Sequence, residues 1–510
     1  MGKKKKPKIR TSELVKKIMS SDAIHQENFH GRKSAWDSFQ LRDERRYEDF
    51  IRKYFQSLNN KWIYDRVDYI EAALKRSRYR PIEEITEQSI EMSMSPENDK
   101  KLRPGQKFYV KFQNRMIVAV QIGQFPIEAG MNIAGAHIDS PGLVARINKI
   151  KQNYNMVYMP SEIRGQVLPK DFFNIPLSLY CRAVYRDNRA EKDVLTEFSI
   201  GDNNGEPCFP ICEHAYHLES LKESAPAIKE LEAILGSQPY PDKRFDPAKR
   251  IMLNVLHEFY KKHKLTENDL IKADIWLHPS QKPRWAGIDK SMILAPGQDN
   301  WAGANPLLYG FLHTKKPAYT KVAVFYDNEE IGDTGKAGLI TNLVGDLFVQ
   351  GLTDLVKKSN AELWQMQRNT WSMLIDVGEA MQIYRPEKQD PRDAAYLGSG
   401  IVLCPFSGDI GNDGGYTPSI DMKHAMNKLM TEKKVAIYPG VMGTPAVRVP
   451  QNSTSFHLSL SEGIDMGVPC IGMHRANELT AVVDLWNMAK GIMAFYSIED
   501  HEEYLPHRKR

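Results

Sequence analysis

The run Val322-Ala-Val-Phe-Tyr326 is apolar throughout and breaks off at once into Asp327-Asn-Glu-Glu-Ile-Gly332. Five apolar residues in succession describe a buried strand, and Gly332 marks a turn beyond it. From residue 286 onward such strands alternate with helical stretches: Lys321 to Tyr326, a helix to about 357, then Ser372 to Val377. That alternation makes the chain α/β. The strand end also carries two adjacent carboxylates, Glu329 and Glu330. If the turn is solvated, the pair is unremarkable. If it is buried, the carboxylates repel each other and lose hydration, and they need a compensating cation.

The 510 residues exceed what one small core accommodates, and roughly two to four domains are expected. Residues 11 to 75 read as mainly helical, with Trp36, Phe39, Tyr47, Phe50, Ile51, Tyr54 and Phe55 at helix-like spacing as packing residues. Phe108 to Phe112 and Met116 to Ile122 read as paired strands, and Asn132 to Ile138 as a third. Between 150 and 285 the texture changes. Strand-like Leu177 to Val184 mixes with charged helical stretches at Leu218 to Leu235 and Lys249 to His263, punctuated by prolines. This block separates two parts of one α/β sheet, so residues 150–285 are expected to form an inserted domain, with 1–149 and 286–510 as the discontinuous main domain.

A net charge of +5 is small for this length and by itself implies no nucleic-acid partner. Much of it lies in Lys3 to Lys6, Lys8 and Arg10 and in His507 to Arg510, and residues 1–10 are expected to be a disordered basic tail. The five cysteines are odd in number and scattered, which fits a reducing, cytoplasmic setting better than a disulfide framework. No stretch of about 18 apolar residues could span a bilayer, so no membrane partner is expected.

Other polar residues follow apolar strands in the same manner as the glutamate pair. His137 and Asp139 are two apart, so on a strand they face one way. Asp299 follows Met292 to Ala295, Asp376 ends Met373 to Ile375, and His474 follows Val468 to Met473. Alone, each is an ordinary turn or capping residue. Together they matter, because open α/β sheets place their sites at the carboxyl ends of strands. Two histidines and several carboxylates without thiolates suit two divalent ions about 3.5–4 Å apart, zinc first, with manganese or cobalt as alternatives. A water acidified by such ions needs a spare carboxylate to accept its proton.

Ala134-Gly-Ala-His-Ile-Asp-Ser-Pro141, Gly297-Gln-Asp-Asn300, Asp327-Asn-Glu-Glu-Ile-Gly332 and Gly472-Met-His474 occur in that order. Ile175 to Tyr180 and Leu397 to Leu403 lie between them. The combination resembles the aspartyl aminopeptidase and vacuolar aminopeptidase I family of dizinc exopeptidases, nearest its bacterial branch, over about residues 100–497. The resemblance implies an α/β/α sandwich with a mixed central sheet and an inserted, mainly β oligomerisation domain. It also implies a metal-dependent aminopeptidase acting on short peptides. Asp299 would bridge the two metals, His137 and Glu330 would bind different ones, and Asp376 and His474 would complete the shells. Glu329 would be the general base and acid, and Asp139 would orient His137. The family assembles as a homododecamer whose inserted domain sends a histidine into a neighbouring site; within Phe209 to Leu218 that is His217, with His214 as the weaker match.

Several pocket positions depart from the family. Pro405 stands where relatives carry a lysine within reach of an acidic substrate side chain. Trp301 replaces an arginine after Asp299-Asn300, and Gln451 to Thr454 replaces a glycine run. The expected chemistry is therefore peptide hydrolysis without a preference for N-terminal Asp or Glu. Two other readings remain open on sequence: a dizinc deacylase or carboxypeptidase, and an inactive cage or adaptor.

Overall fold

The computed structural model describes residues 32–40, 43–84, 103–146, 150–213, 215, 231–333, 335, 337–339, 359–405, 417–440 and 462–506. By backbone contacts the chain divides into Met1–Lys33 and Ser34–Arg510. Everything below belongs to the second unit.

Two sheets organise that unit. The first has twelve strands among the described residues, and its centre is a parallel run: Thr320–Tyr326, Met131–His137, Trp371–Glu379 and Glu462–Ile471. Along Thr320–Tyr326 the residues alternate between two cores. Ala323 and Phe325 pack with Trp301, Trp486 and Phe495 on one face, while Val322, Val324 and Tyr326 pack with Val118, Ile133 and Met366 on the other. A period of two with both faces apolar is what a covered parallel strand requires. Helices Gln298–His313 and Val482–Tyr496 cover the first face, and helix Asn360–Asn369 contributes to the second. The layers are helix, sheet, helix, as expected.

Helices Glu44–Ser57 and Ile63–Arg76 join the first core through Phe50, Ile51, Tyr54, Val67, Ile70 and Leu74. The N-terminal aromatics are packing residues, as their spacing indicated. Trp36, more than a third exposed, still meets Phe39 and Tyr47 edge-on or tilted.

The second sheet is antiparallel throughout. Its order is Leu231–Gly236, Met156–Arg164, Gly142–Ala145, Asp274–Pro279, Leu177–Asp187, Lys192–Ile200, with Lys151–Asn153 on Met156–Arg164. It has its own core, built around Leu143, Met159, Leu179, Phe209 and Leu277. Its strands span residues 142–279, and the chain re-enters the first sheet at Arg284–Ala286. Lys249 to His263 is helical, observed as Arg250–His263. Leu231 to Leu235, read from sequence as the end of a helix, is instead a strand. Leu231 and Ala233 face the core while it pairs with Met156–Arg164. Five charges among Lys222–Glu232 suggested a solvated helix face, but pairing to a neighbouring strand decided the outcome.

Candidate metal centre

The parallel strands deliver the candidate residues to one edge. Tyr326 is in register with His137, so the turn after one strand lies beside the end of the other. His137 closes its strand and is buried. Glu329 and Glu330 lie in a single helical turn, Glu329–Ile331, bounded by left-handed Asn328 and Gly332. Asp376 lies within Trp371–Glu379, and His474 follows Glu462–Ile471. Asp299 enters at the start of helix Gln298–His313, after Gly297 at φ +66°.

Six of the sequence candidates converge. His137 Nε2 lies 3.3 Å from both Asp299 Oδ1 and Asp376 Oδ1, and 3.8 Å from Glu329 Oε2. His474 Nε2 lies 3.1 Å from Asp299 Oδ2 and 3.4 Å from Glu330 Oε2. Asp139 stands behind them: its Oδ1 is 3.4 Å from His137 Nδ1, and its Oδ2 accepts the Glu330 N–H at 3.3 Å. His217 and His214 lie outside the described residues.

Charge crowding here is severe. Burial pushes the Glu329 and Glu330 carboxyls well above their usual range, reinforced by Asp376 at Glu329 and by Asp299 at Glu330. Burial lifts Asp376 as well. Burial also acts to raise Asp299, but the His137 and His474 imidazoles outweigh it and hold this carboxyl low. Burial opposes charge on His474, yet Asp299, Glu330 and Glu478 raise it to about 10. The protein alone thus balances these acids only by holding protons among them. Divalent cations supply the same compensation without protons.

The donor set fits such ions. Asp299 Oδ1 and Glu330 Oε1 are buried with no hydrogen-bond partner among the described residues. Three overlapping groups each bring their ligand atoms within 4.8 Å: His137 with Asp299 and Asp376, Asp299 with Glu330 and His474, and His137 with Glu329 and Glu330. Imidazole and carboxylate donors without thiolate belong to zinc and its neighbours.

A profile described as aminopeptidase I zinc metalloprotease (M18) matches residues 74–496. The chain belongs to the M18 aminopeptidase family. It is therefore a zinc metalloprotease of the aminopeptidase class, and the resemblance read from the motifs holds. A probable M18 family aminopeptidase 1 of Borrelia garinii is 28% identical over 438 residues, covering 82% of this chain and 93% of that one. The crystal structure of an M18 aminopeptidase from Thermotoga maritima superposes with a TM-score of 0.80 at 22% identity, over 92% of this chain and 99% of that one. A yeast aminopeptidase described as a dodecamer reaches 0.70 at 17% identity, over 90% and 98%. Among the described residues no helix is long and apolar enough to cross a membrane.

The sequence reading missed three positions that shape this centre. Glu478, buried, accepts the backbone N–H of Asp299 through Oε2 and of His474 through Oε1, each at 2.9 Å. Its signal was faint: one acid opening the otherwise uncharged strand Glu478–Ala481. Gln166 supplies a carbonyl 2.8 Å from His474 Nδ1, which fixes the ring so that Nε2 faces the carboxylates. Gly165 beside it has φ +84°, and a Cβ there would sit 2.7 Å from Pro141 Cβ and 3.3 Å from Glu330 Oε2. Both belong to the turn that follows strand Met156–Arg164, so the second sheet helps to build the centre. Nothing in their own residue types announces this.

Proposed function

We propose that this aminopeptidase works through two divalent ions, which His137, Asp376, Glu330 and His474 would hold together with Asp299. The observation that carries the reading is the division of that carboxylate, with Oδ1 toward His137 and Oδ2 toward His474. His137 and Asp376 would hold one ion, His474 and Glu330 the other, with zinc as the resident metal. Bound there, the ions supply Lewis acidity that polarises a peptide carbonyl and acidifies a water.

The protein's own groups do the rest. Glu329 approaches His137 less closely than Asp299 or Asp376 does, at 3.8 Å against 3.3 Å, and burial raises its carboxyl. It suits the proton carrier, taking a proton from the attacking water and passing it to the leaving amine. Asp139 orients His137 through Nδ1, and Gln166 orients His474 in the same way. The substrates are short peptides with a free amino terminus. Pro405 in place of a lysine leaves no basis for an acidic preference at the first residue.

Self-association as a dodecamer is part of the same reading, with the second sheet as the assembly unit; its strands span residues 142–279, so Gly142–Ala145 lies ahead of the expected insertion of 150–285 and the rest within it. Two features support it: the yeast relative is described as a dodecamer, and the cross-strand pair Val184 and Leu195 is about half exposed. Five free cysteines favour the cytoplasm.

The test compares one peptide with a free and an acetylated amino terminus, reading products by mass. Stepwise release of N-terminal residues from the free peptide alone is expected. Loss of the acetyl group, or release of C-terminal residues first, would instead select the deacylase or carboxypeptidase reading.

A further inference from the structure

His137 and Asp299 meet at 3.3 Å, yet the strands that lead to them are not neighbours. In the first sheet Met131–His137 and Met292–Ala295 are separated by Trp371–Glu379, Glu462–Ile471 and Glu478–Ala481. Only ladders through three intervening strands link them, with no direct pairing, so a group that bridges the two loops themselves would fix their spacing.

We infer that Arg66 is a positioning residue of the metal centre, holding the His137–Asp139 loop and the Asp299 loop at fixed separation through a single guanidinium. It rests on the two-ion reading above, and it concerns a residue ahead of the stretch, 74–496, that matches the family. Arg66 lies in helix Ile63–Arg76 on the same buried face as Ile63, Val67, Ile70 and Leu74. It is 1% exposed. Nη1 donates to the Ile138 carbonyl and to Ser140 Oγ, each at 2.9 Å, with a longer contact of 3.4 Å to the Asp139 carbonyl. Nη2 donates to the Gly297 carbonyl at 2.7 Å, and Nε to the Asn60 carbonyl of its own helix entry at 3.1 Å. Ser140 Oγ donates onward to the Asp299 carbonyl at 2.5 Å. The guanidinium carbon lies 5.2 Å from the centre of the Trp301 ring.

Each contact has a physical purpose. The carbonyls of Ile138 and Gly297 flank residues that present carboxylates and imidazole to the ions, so these carbonyls cannot turn toward solvent without moving a ligand. A guanidinium offers five N–H donors in a rigid fork, which reaches two loops at once and keeps its charge when buried. An ammonium gathers its donors at one point and cannot span the same gap. Burial lowers the Arg66 pKa to about 10, which leaves it charged at neutral pH. The neighbouring carboxylates of Asp139, Glu478 and Asp299 favour that charge. The Trp301 face closes the remaining side.

The mutated protein can be tested as the full chain by titrating metal-depleted enzyme with Zn²⁺ against a chromophoric chelator. Co²⁺ absorption serves as a second readout of ligand geometry, and circular dichroism as a check on folding. Arg66→Lys, which keeps the charge and loses the fork, is expected to fold and to bind zinc about 10-fold or more weakly, with an altered Co²⁺ spectrum. Ser140→Ala removes only the relay to Asp299, is expected to weaken zinc in the same direction, and decides the matter if Arg66→Lys does not fold. Wild-type zinc affinity and Co²⁺ spectrum in folded Arg66→Lys overturn the inference; so does wild-type behaviour of Ser140→Ala where Arg66→Lys cannot be studied. Failure of the wild-type protein to bind zinc at all would overturn the two-ion reading itself, and this inference with it.

Discussion

Glu478→Gln isolates what a buried carboxylate contributes by holding two proposed ligand residues by their backbones. In the wild type, one oxygen accepts from Asp299 N and the other from His474 N, both at 2.9 Å, and the side chain is 2% exposed. Glutamine keeps one acceptor and turns an NH₂ toward the second N–H. That leaves a buried donor unsatisfied, at a cost of about 1–3 kcal/mol, and weakens the surviving bond by removing its charge. Without metal the two loops can relax and let water reach the orphaned N–H. With metal bound as proposed, Asp299 and His474 would be committed to their positions and could not. Most of the penalty therefore falls on metal binding, and about 1–3 kcal/mol corresponds to roughly 5- to 150-fold in affinity. The assay is chelator competition on metal-depleted protein, with aminopeptidase activity measured separately at saturating zinc. Activity at saturation is expected to recover to a large extent, because Glu478 touches no reacting group. A folded Glu478→Gln protein whose zinc affinity stays within about threefold of wild type would refute the reasoning.

Glu329→Gln is expected to retain its zinc while losing about 10²- to 10⁴-fold in turnover, because it removes the proposed proton carrier and keeps the shape; near-normal turnover would exclude Glu329 from that role. Gly310→Ala tests the packing of helix Gln298–His313 on Val482–Tyr496: a Cβ there would lie 2.5 Å from Ile492 Cγ2 and 2.8 Å from Ile492 Cβ, so thermal melts should show destabilisation of about 1–3 kcal/mol, and an unchanged melt would mean the helices separate freely. His501 is stacked between Tyr319 and Trp371 at 3.9 and 4.0 Å, and burial lowers its pKa to about 4. Since the unfolded chain takes up that proton near 6.5, stability is intact above 6.5 and falls as pH drops toward 4, by up to ~3 kcal/mol. His501→Phe should show a shallower acid decline in denaturation series from pH 7 to 4, and parallel curves would contradict the assignment.

The sequence made the parallel core and the candidate metal ligands legible for one reason. Each follows an unbroken apolar run, and the ends of covered strands in an α/β sheet are where polar residues gather. His137, Asp299, Glu330, Asp376 and His474 could be chosen on that ground, and the motif order tied them together. Asp139 apart, the groups that hold them in place could not. Arg66 sits in a helix that read as packing, where one arginine on the buried stripe was its only mark. Glu478 resembles any acid at a strand start, and Gln166 acts through its backbone, which carries no residue signature. Leu231–Gly236 misled for a related reason: its strand is defined by its partner Met156–Arg164, not by its own composition. Local chemistry is written in residue types, but support from distant chain segments is written in topology.

The central proposal is that two ions would share Asp299, and metal-dependent activity per chain tests it most directly. Metal-depleted protein is titrated with Zn²⁺ while release of the N-terminal residue from a short peptide is followed, with bound zinc counted at each point. The account predicts that activity climbs until two equivalents per chain are bound, and that Asp299→Ala abolishes both high-affinity equivalents together. Full activity at one equivalent, or an Asp299→Ala protein that still binds two ions tightly, would contradict it.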